Sequence, residues 1–381
     1  MLRFEQGPIR PPSEAASLLL RFTRNCPWNK CKFCGVYKRR KFSRRSLNEI
    51  LKDIDTVRAI IDDLQSISWS LGCGGEVNQQ VLNHVFNNPH KYSEQYRHVT
   101  LWLFNGQGTV FIQDANSLIM KTSDLVKALR YLKEKVPGIK RITSYARSST
   151  VARKSLEELK EIKDAGLNRI HIGLESGSDK VLKMINKGVT AKKHVEAGQK
   201  IVEAGIMLSE YVMPGLGGKD LSKDHAIETA KVLNEIDPHF IRLRTLQIVP
   251  KTPLFEDFKQ GKFKPLSDDE VVKEIRLFIE HLEGIHSTMT SDHIINLLEE
   301  VEGQFPEDKP HMLRVIDSYL SLPPEDRILF RLGRRGGALR SVVEIKNPYI
   351  RTQLERAKRE LESQEGKKIE EIITEMASQY V

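Results

Sequence analysis

The chain has 381 residues, of which 39% are hydrophobic and 29% are charged, and its formal net charge is +9. A chain of this size can bury one large core or two smaller ones, and no apolar run approaches the roughly 20 residues that a membrane-spanning helix needs. The polar, proline-rich N-terminus lacks the pattern of a signal peptide. We therefore expect a cytoplasmic protein whose basic charge permits, without requiring, contact with nucleic acid or anionic ligands.

Six short apolar or β-branched segments predict strands. They lie at residues 17–23, 109–114, 140–146, 169–175, 207–213 and 240–249. Amphipathic helical patterns follow them, and two of these helices open with capping boxes, Ser46 with Glu49 and Ser155 with Glu158. A strand followed by a helix, six times in succession, predicts an α/β protein with a parallel sheet. The pattern alone leaves a doubly wound open sheet and a partial barrel as alternatives.

Two segments depart from this rhythm. The segment from about residue 66 to residue 108 is longer than an ordinary connection between a helix and a strand. We interpret it as an insertion after the first helix, with a short helix near 78–86. Residues 286–381 show no strand pattern and predict a helical C-terminal extension. The expected organisation is therefore a core domain at 1–285 followed by the extension at 286–381.

Three of the four cysteines lie in the loop after the first predicted strand. Cys26, Cys31 and Cys34 have the spacing C-x4-C-x2-C, in a polar loop that argues against buried, inert thiols. A structural zinc site usually has four protein ligands, so Cys73 or a histidine would have to complete it. A [4Fe–4S] cluster held by three thiolates would instead leave one iron open to a small molecule.

This loop, with Phe33 just before its last cysteine, resembles that of the radical S-adenosylmethionine superfamily, whose common spacing is C-x3-C-x2-C. A second match is the stretch GLESGSDKVLKMINKG at 173–188, and the resemblance covers roughly residues 15–285. It implies a parallel (β/α)6 partial TIM barrel in which Cys26, Cys31 and Cys34 hold a [4Fe–4S] cluster. It further implies an oxygen-sensitive enzyme that cleaves S-adenosylmethionine reductively to a 5′-deoxyadenosyl radical, which abstracts hydrogen from a substrate.

The resemblance also assigns polar residues at the other strand ends to S-adenosylmethionine. Asp114 would bind its amino group, Arg147 would clamp its carboxylate, and Glu175 would accept hydrogen bonds from its ribose. Further candidates for the cofactor site are Asn116, Ser144, Ser176 and Val249. A helix N-cap is the alternative for Asp114, and a surface ion pair is the alternative for Arg147. A literal GGE at 74–76 lies in the insertion, and we expect it to be unrelated to the cofactor.

The substrate and partners are less constrained by the sequence. We expect a small-molecule or peptide substrate and an electron donor such as flavodoxin or ferredoxin, with no membrane association. An RNA-modifying member of the superfamily is one alternative, in which Arg334 and Arg335 would bind phosphate or another anion rather than form a solvated helix end. A non-catalytic zinc or iron–sulfur protein is the other alternative.

Overall fold

The computed structural model describes residues 2–379, with the side chains of all of these except 364 and 365. The chain divides into two compact units. The first unit comprises the residues up to Asn29, Val36–Ile172 and Lys200–Leu208. The second unit comprises Lys30–Gly35, Gly173–Gln199 and the residues from Ser209 onwards.

The strands and helices of the described residues alternate along most of the chain. The strands are β1 (Leu18–Arg21), β2 (Thr23–Arg24), β3 (Ser43–Arg44), β4 (Thr109–Gln113), β5 (Arg141–Ala146), β6 (Leu167–Glu175), β7 (Met207–Val212), β8 (Phe240–Leu243), β9 (Thr288–Thr290) and β10 (Gly303–Gln304). The first eight helices are α1 (Leu47–Ser70), α2 (Gln79–Phe86), α3 (Glu94–Asn105), α4 (Thr122–Lys135), α5 (Ser148–Val151), α6 (Leu156–Asp164), α7 (Asp179–Met184) and α8 (Ala191–Glu203). The remaining helices are α9 (Gly218–Ile236), α10 (Pro253–Lys259), α11 (Asp268–Glu280), α12 (Lys309–Leu320), α13 (Pro324–Arg335), α14 (Pro348–Glu365) and α15 (Ile369–Ser378).

In the first unit, β1, β4, β5 and β6 pair in parallel in that order. Every residue of β4 is buried, as expected for a strand of a parallel sheet that is covered on both faces. Helix α4 packs against α1 and α6, and α1 begins at the predicted capping box between Ser46 and Glu49. The short strands β2 and β3 pair antiparallel and close residues 25–42, which include the three cysteines, into one loop.

The insertion lies in the first unit and covers the outer strand of its sheet. Helix α3 packs against α1 and β1, and Nε2 of His98 in α3 accepts the backbone N–H of Leu19 in β1 at 3.0 Å. The insertion begins later than we expected, because α1 continues to Ser70. Its predicted helix near 78–86 is confirmed as α2, whereas α3 was not predicted.

In the second unit, β7 pairs with β8 and β8 with β9 in parallel, and β10 joins β9 antiparallel. Helix α11 packs against α9 and α12. The C-terminal helices α13, α14 and α15 pack on one another around a core that includes Leu332, Ile369, Ile372 and Ile373.

The predicted α/β class with a mostly parallel sheet is confirmed, and all six predicted strands are present. The expectation that residues 286–381 lack strands is wrong, because β9 and β10 lie within them. These strands have three and two residues, too few to show an alternating pattern, and they form through pairing with β8. Among the described residues, no helix has the length and apolar character needed to cross a membrane.

Candidate active site

The first part of the cysteine loop belongs to the first unit, where backbone and side-chain hydrogen bonds fix it. The backbone N–H of Asn29 donates to Sγ of Cys26 at 3.4 Å. The Asn29 side chain in turn donates to the carbonyls of Tyr37, at 2.6 Å, and Arg40, at 3.3 Å. Cys26 is half-buried, and these hydrogen bonds hold its sulfur in a defined environment.

The second part of the loop, with Cys31 and Cys34, belongs to the second unit. The Lys32 backbone N–H donates to the Ile185 carbonyl at 2.8 Å, and the Lys32 carbonyl accepts from Leu254 N–H at 3.0 Å. Beyond Cys34, a Cβ atom added to Gly35 would lie 3.3 Å from Cγ1 of Val249. The predicted cofactor residue Val249 therefore packs directly against the end of the cysteine loop.

The chemistry of the donor set fits a cluster held by three thiolates. The four cysteines form no disulfide bond, and a backbone amide that donates to sulfur, as at Cys26, is the kind of contact that tunes cluster ligands. Cys73 lies in the turn after α1, where its Sγ is 3.4 Å from Oε1 of Gln80. Within residues 2–379, no group of three or more His, Cys, Asp or Glu side chains is arranged around a single metal ion. A cluster of this kind differs from a single ion, because three of its four irons would each bind one thiolate.

Asp114 is fully buried at the end of β4, and its charge is already balanced. Its Oδ2 accepts from Nε and Nη2 of Arg21, at 2.8 and 2.5 Å, and from the backbone N–H of Asn25 at 3.0 Å. Burial and the neighbouring Asp114 carboxylate both raise the pKa of the Tyr37 phenol. The sequence did not identify Arg21 as the partner of Asp114. Oδ2 is therefore committed to the protein, and Oδ1 is buried beside Gly7.

Asn116, Ser144 and Arg147 lie on neighbouring strand ends of the first unit. The buried Asn116 side chain donates to Thr150 at 2.8 Å and accepts the backbone N–H of Arg147 at 3.0 Å. The Ser144 hydroxyl shares its hydrogen between backbone carbonyls of β4 and β5. The Arg147 guanidinium lies 5.3 Å from the ring centroid of Trp28, within the cysteine loop. Asn116 and Ser144 thus brace the strand ends, and Arg147 faces the loop that carries Cys26.

Glu175 ends β6 in an uncommon backbone conformation, with a φ of 63°. Its Oε1 accepts from Nζ of Lys187 at 2.8 Å, and the Lys187 ammonium also lies 5.8 Å from the ring centroid of Phe33. Gly173 makes this arrangement possible, because a Cβ there would overlap the Glu175 carboxylate. Lys187 was not predicted, although it stands in the GLESG stretch that identified Glu175. It links Glu175 to the cysteine segment within the second unit.

A second carboxyl group, that of Glu210 on β7, is completely buried near this pair. Burial raises its pKa well above the ordinary value, while the positive charge of Lys187 acts in the opposite direction. The carboxylate of Glu175 adds to the increase in the pKa. The neutral form of the Glu210 carboxyl group is therefore favoured. The positive charge of Lys187 is then balanced by the carboxylate of Glu175.

Ser176 belongs to a buried hydrogen-bond network beneath the second unit's strand ends. Its Oγ is 2.8 Å from Nδ1 of His225, and Nε2 of His225 is 3.1 Å from the Met213 carbonyl. Because that carbonyl can only accept, Nε2 carries the hydrogen and Nδ1 accepts from Ser176. Glu274 extends the network by accepting the Gly215 backbone N–H at 2.6 Å. The Ser176 hydroxyl is thus engaged within the protein.

The arginines proposed as an anion site in the C-terminal extension serve another purpose. Arg334 and Arg335 are buried, and they form ion pairs with Glu299 at 2.9 Å and Asp268 at 3.2 Å. Arg335 also donates to the Ile295 carbonyl at 2.7 Å. Both alternatives given for Arg334 and Arg335, a solvated helix end and a site for phosphate or RNA, are therefore wrong, because the two guanidinium groups are buried in ion pairs that hold this part of the second unit together.

Parallel strands accompanied by helices define a protein of the α/β class, and a three-cysteine loop follows its first strands. The sequence profile of the Radical SAM superfamily matches residues 20–231, more than half of the chain, and the chain belongs to this superfamily. It is accordingly an enzyme that uses a [4Fe–4S] cluster and S-adenosylmethionine, as predicted.

Individual relatives are more distant. The tRNA uridine(34) acetyltransferase of Methanocaldococcus infernus is 25% identical over 122 residues, 32% of this chain and 23% of that protein. Protein YtqA of Bacillus subtilis is 26% identical over 145 residues, 38% of this chain and 44% of that protein. Coproporphyrinogen III oxidase from Escherichia coli, a solved structure, has a TM-score of 0.43 and 14% identity, covering 66% of this chain and 49% of its own. The chain thus spans less than half the length of each of these proteins.

Proposed function

We propose that Cys26, Cys31 and Cys34 hold the [4Fe–4S] cluster and that the enzyme cleaves S-adenosylmethionine to act on a small-molecule or peptide substrate. When bound, the cluster supplies the electron that converts S-adenosylmethionine to methionine and a 5′-deoxyadenosyl radical. The observation that carries the proposal is the amide-to-sulfur hydrogen bond at Cys26, in a C-x4-C-x2-C loop that resembles the cysteine loop of the superfamily.

In this proposal, the charged residues of the strand ends orient the cofactor. Glu175 accepts hydrogen bonds from the ribose hydroxyls, and Lys187 holds the Glu175 carboxylate in place for that purpose. Arg147 pairs with the cofactor carboxylate, and its contact with Trp28 keeps it beside the cysteine loop. Asp114 offers Oδ1 to the cofactor ammonium, since Oδ2 is occupied by Arg21. Asn116 and Ser144 brace the strand ends near Arg147, Ser176 braces the end of β6, and Val249 packs against the end of the cysteine loop.

Anaerobic reconstitution of the full chain with iron and sulfide tests the proposal. We expect about four irons and four sulfides per chain, and formation of 5′-deoxyadenosine when dithionite and S-adenosylmethionine are added. Cys31→Ala should abolish both, whereas Cys73→Ser, which changes the cysteine outside the loop, should retain both. A chain that binds zinc stoichiometrically and takes up no cluster, or 5′-deoxyadenosine production by Cys31→Ala, would contradict the proposal.

RNA modification is the second candidate function. The similarity to a tRNA uridine(34) acetyltransferase and the net charge of +9 favour it, although the match spans only 32% of this chain. If RNA is the substrate, the reconstituted enzyme should bind tRNA with an affinity that falls steeply as salt increases, and tRNA should increase 5′-deoxyadenosine formation. Binding without such stimulation would count against tRNA as the substrate.

A further inference from the structure

Four exposed cations lie immediately after the cysteines, and we call this segment the basic turn. It consists of Arg39, Arg40, Lys41 and Arg44. None of their side chains forms an ion pair or a hydrogen bond with any residue in the part of the chain that the structure describes. The neighbouring Arg45 differs, because it is buried and pairs with Asp53 at 2.6 Å. The basic turn therefore presents uncompensated positive charge to solvent.

The basic turn is attached directly to the part of the loop that carries Cys26. The Asn25 side chain donates to the Lys41 carbonyl at 2.6 Å, and the Asn29 side chain donates to the Arg40 carbonyl at 3.3 Å. Asn29 also donates its backbone N–H to Sγ of Cys26 at 3.4 Å. A single residue, Asn29, thus connects the exposed backbone of Arg40 to a cluster-binding sulfur.

We propose that the basic turn is the docking surface for an acidic one-electron donor protein, which reduces the cluster through Asn29 and Cys26. This inference rests on the proposed function, because it requires a cluster at Cys26. In the transfer, the donor loses one electron and the cluster gains it, and no bond is made or broken. Opposite charge on the donor speeds the encounter and orients it, and a surface so close to the cluster ligand keeps the path of the electron short.

The surroundings of the basic turn favour a protein over RNA as its partner. Single-stranded RNA is held by basic grooves that also offer aromatic rings for stacking. Tyr37, which precedes the turn, is buried, and Phe42 within the segment is half-buried, so the segment offers no fully exposed aromatic ring. The connection to Cys26 through Asn29 is useful to an electron donor and has no role in binding phosphate.

The double variant Arg39→Glu with Arg40→Glu tests the docking surface. The matched control is Lys127→Glu with Arg130→Glu, which makes the same change in charge at two exposed positions of α4. The probe is a flavodoxin reduced to its hydroquinone. We measure its dissociation constant for the reconstituted chain at low and physiological salt, and the rate at which it reduces the cluster.

We expect the Arg39/Arg40 variant to bind flavodoxin at least about tenfold more weakly, with a smaller salt dependence and slower reduction of the cluster. Its iron content and its reduction by dithionite should match the wild type, and the Lys127/Arg130 control should bind flavodoxin normally. Equal weakening in both variants, or no weakening in either, would overturn the proposal. Loss of tRNA binding with intact flavodoxin binding would overturn it in favour of RNA. A wild-type chain that takes up no cluster would instead refute the proposed function, which the iron analysis detects separately.

Discussion

Nζ of Lys187 lies 2.8 Å from Oε1 of Glu175, and only 12% and 13% of the two side chains are exposed. A buried ion pair loses much of its attraction to the cost of desolvation, so such a pair contributes little net stability. The ion pair does fix the position of both groups, because an unpaired charge in this largely buried environment has a high free-energy cost. The Lys187–Glu175 pair therefore acts chiefly to orient the Glu175 carboxylate.

Replacement of the lysine tests this role. Lys187→Met should leave the Glu175 carboxylate without its cation and weaken binding of S-adenosylmethionine by about tenfold or more, which corresponds to about 1.4 kcal/mol. Isothermal titration calorimetry on the reconstituted enzyme measures the affinity. Lys187→Arg keeps the charge and serves as the control, with an affinity nearer that of the wild type. Wild-type affinity in Lys187→Met would show that the ion pair does not orient the cofactor site.

Two glycines near Glu175 should respond differently to replacement by alanine. A Cβ at Gly173 would meet the flexible end of the Glu175 side chain, which can move aside. A Cβ at Gly177 would meet the backbone carbonyl of Glu228 and lie 2.7 Å from Cα of Thr229, and neither can move without shifting α9. We expect Gly173→Ala to fold with a stability within about 1 kcal/mol of the wild type yet bind S-adenosylmethionine weakly. Gly177→Ala should be destabilised by about 2 kcal/mol or more.

Urea denaturation and cofactor titration together distinguish the two cases. If Gly173→Ala unfolds as readily as Gly177→Ala, the glycine is required by the fold rather than by the Glu175 carboxylate. If Gly173→Ala binds S-adenosylmethionine as the wild type does, then displacement of that carboxylate is harmless, and Glu175 is not a contact of the cofactor.

The His225 network should be needed for stability. His225→Ala removes the acceptor of the buried Ser176 hydroxyl and one of two donors to the Met213 carbonyl, which keeps the Leu216 N–H at 3.1 Å. Each buried polar group left without a partner costs about 1–3 kcal/mol, so the free energy of unfolding should fall by that amount or more. Ser176→Ala, which removes one hydroxyl, should cost less. A smaller loss for His225→Ala than for Ser176→Ala would contradict this network.

The stability of the protein should fall in mild acid because of His98. Burial, followed by the nearby charge of Arg10, lowers the pKa of His98 to about 4 in the fold, against 6.5 as its ordinary value. The neutral form is the one required by the fold, since Nε2 accepts the Leu19 N–H. The contribution of His98 is thus complete above pH 6.5 and is lost as the pH falls towards 4, at up to about 1.4 kcal/mol per pH unit.

Urea unfolding at pH 7.5, 6 and 5 measures this slope. His293, whose pKa burial and Arg244 lower to about 4, adds a similar contribution, so the wild-type slope contains both histidines. His98→Gln provides a hydrogen-bond acceptor that does not titrate. The free energy of unfolding of this variant should therefore depend less steeply on pH, because the contribution of His98 is removed. An unchanged slope in this variant would show that His98 is not the titrating group.

The sequence could predict those candidate site residues whose signal is local in the chain. The three cysteines and Glu175 stand in recognisable spacings, and each follows a strand whose residues give a clear apolar signal. The residues that contact the candidate site residues could not be predicted from the sequence, because only the fold brings them together. Arg21 reaches Asp114 across the pairing of β1 with β4, and Glu274 reaches Gly215 from a helix 59 residues further on.

The same reasoning explains the errors in the C-terminal region. The arginines of α13 have the spacing of a basic surface cluster, yet their acidic partners, Asp268 and Glu299 among them, lie far away in sequence. Whether a charged side chain is buried depends on such distant partners. A prediction based only on neighbouring residues therefore places the same arginines at the surface.

The contact between His98 and Leu19 also has a consequence for solubility. Among the described strands, β1 pairs with β4 alone, so its other side is the edge of a sheet, and exposed edges can pair with strands of other molecules and lead to aggregation. His98 occupies the Leu19 N–H, and the Gln6 side chain approaches the Leu19 carbonyl at 3.5 Å. The insertion thereby denies this edge to a foreign strand, so a shortened chain that lacks α3 should form β-rich aggregates even where its core still folds.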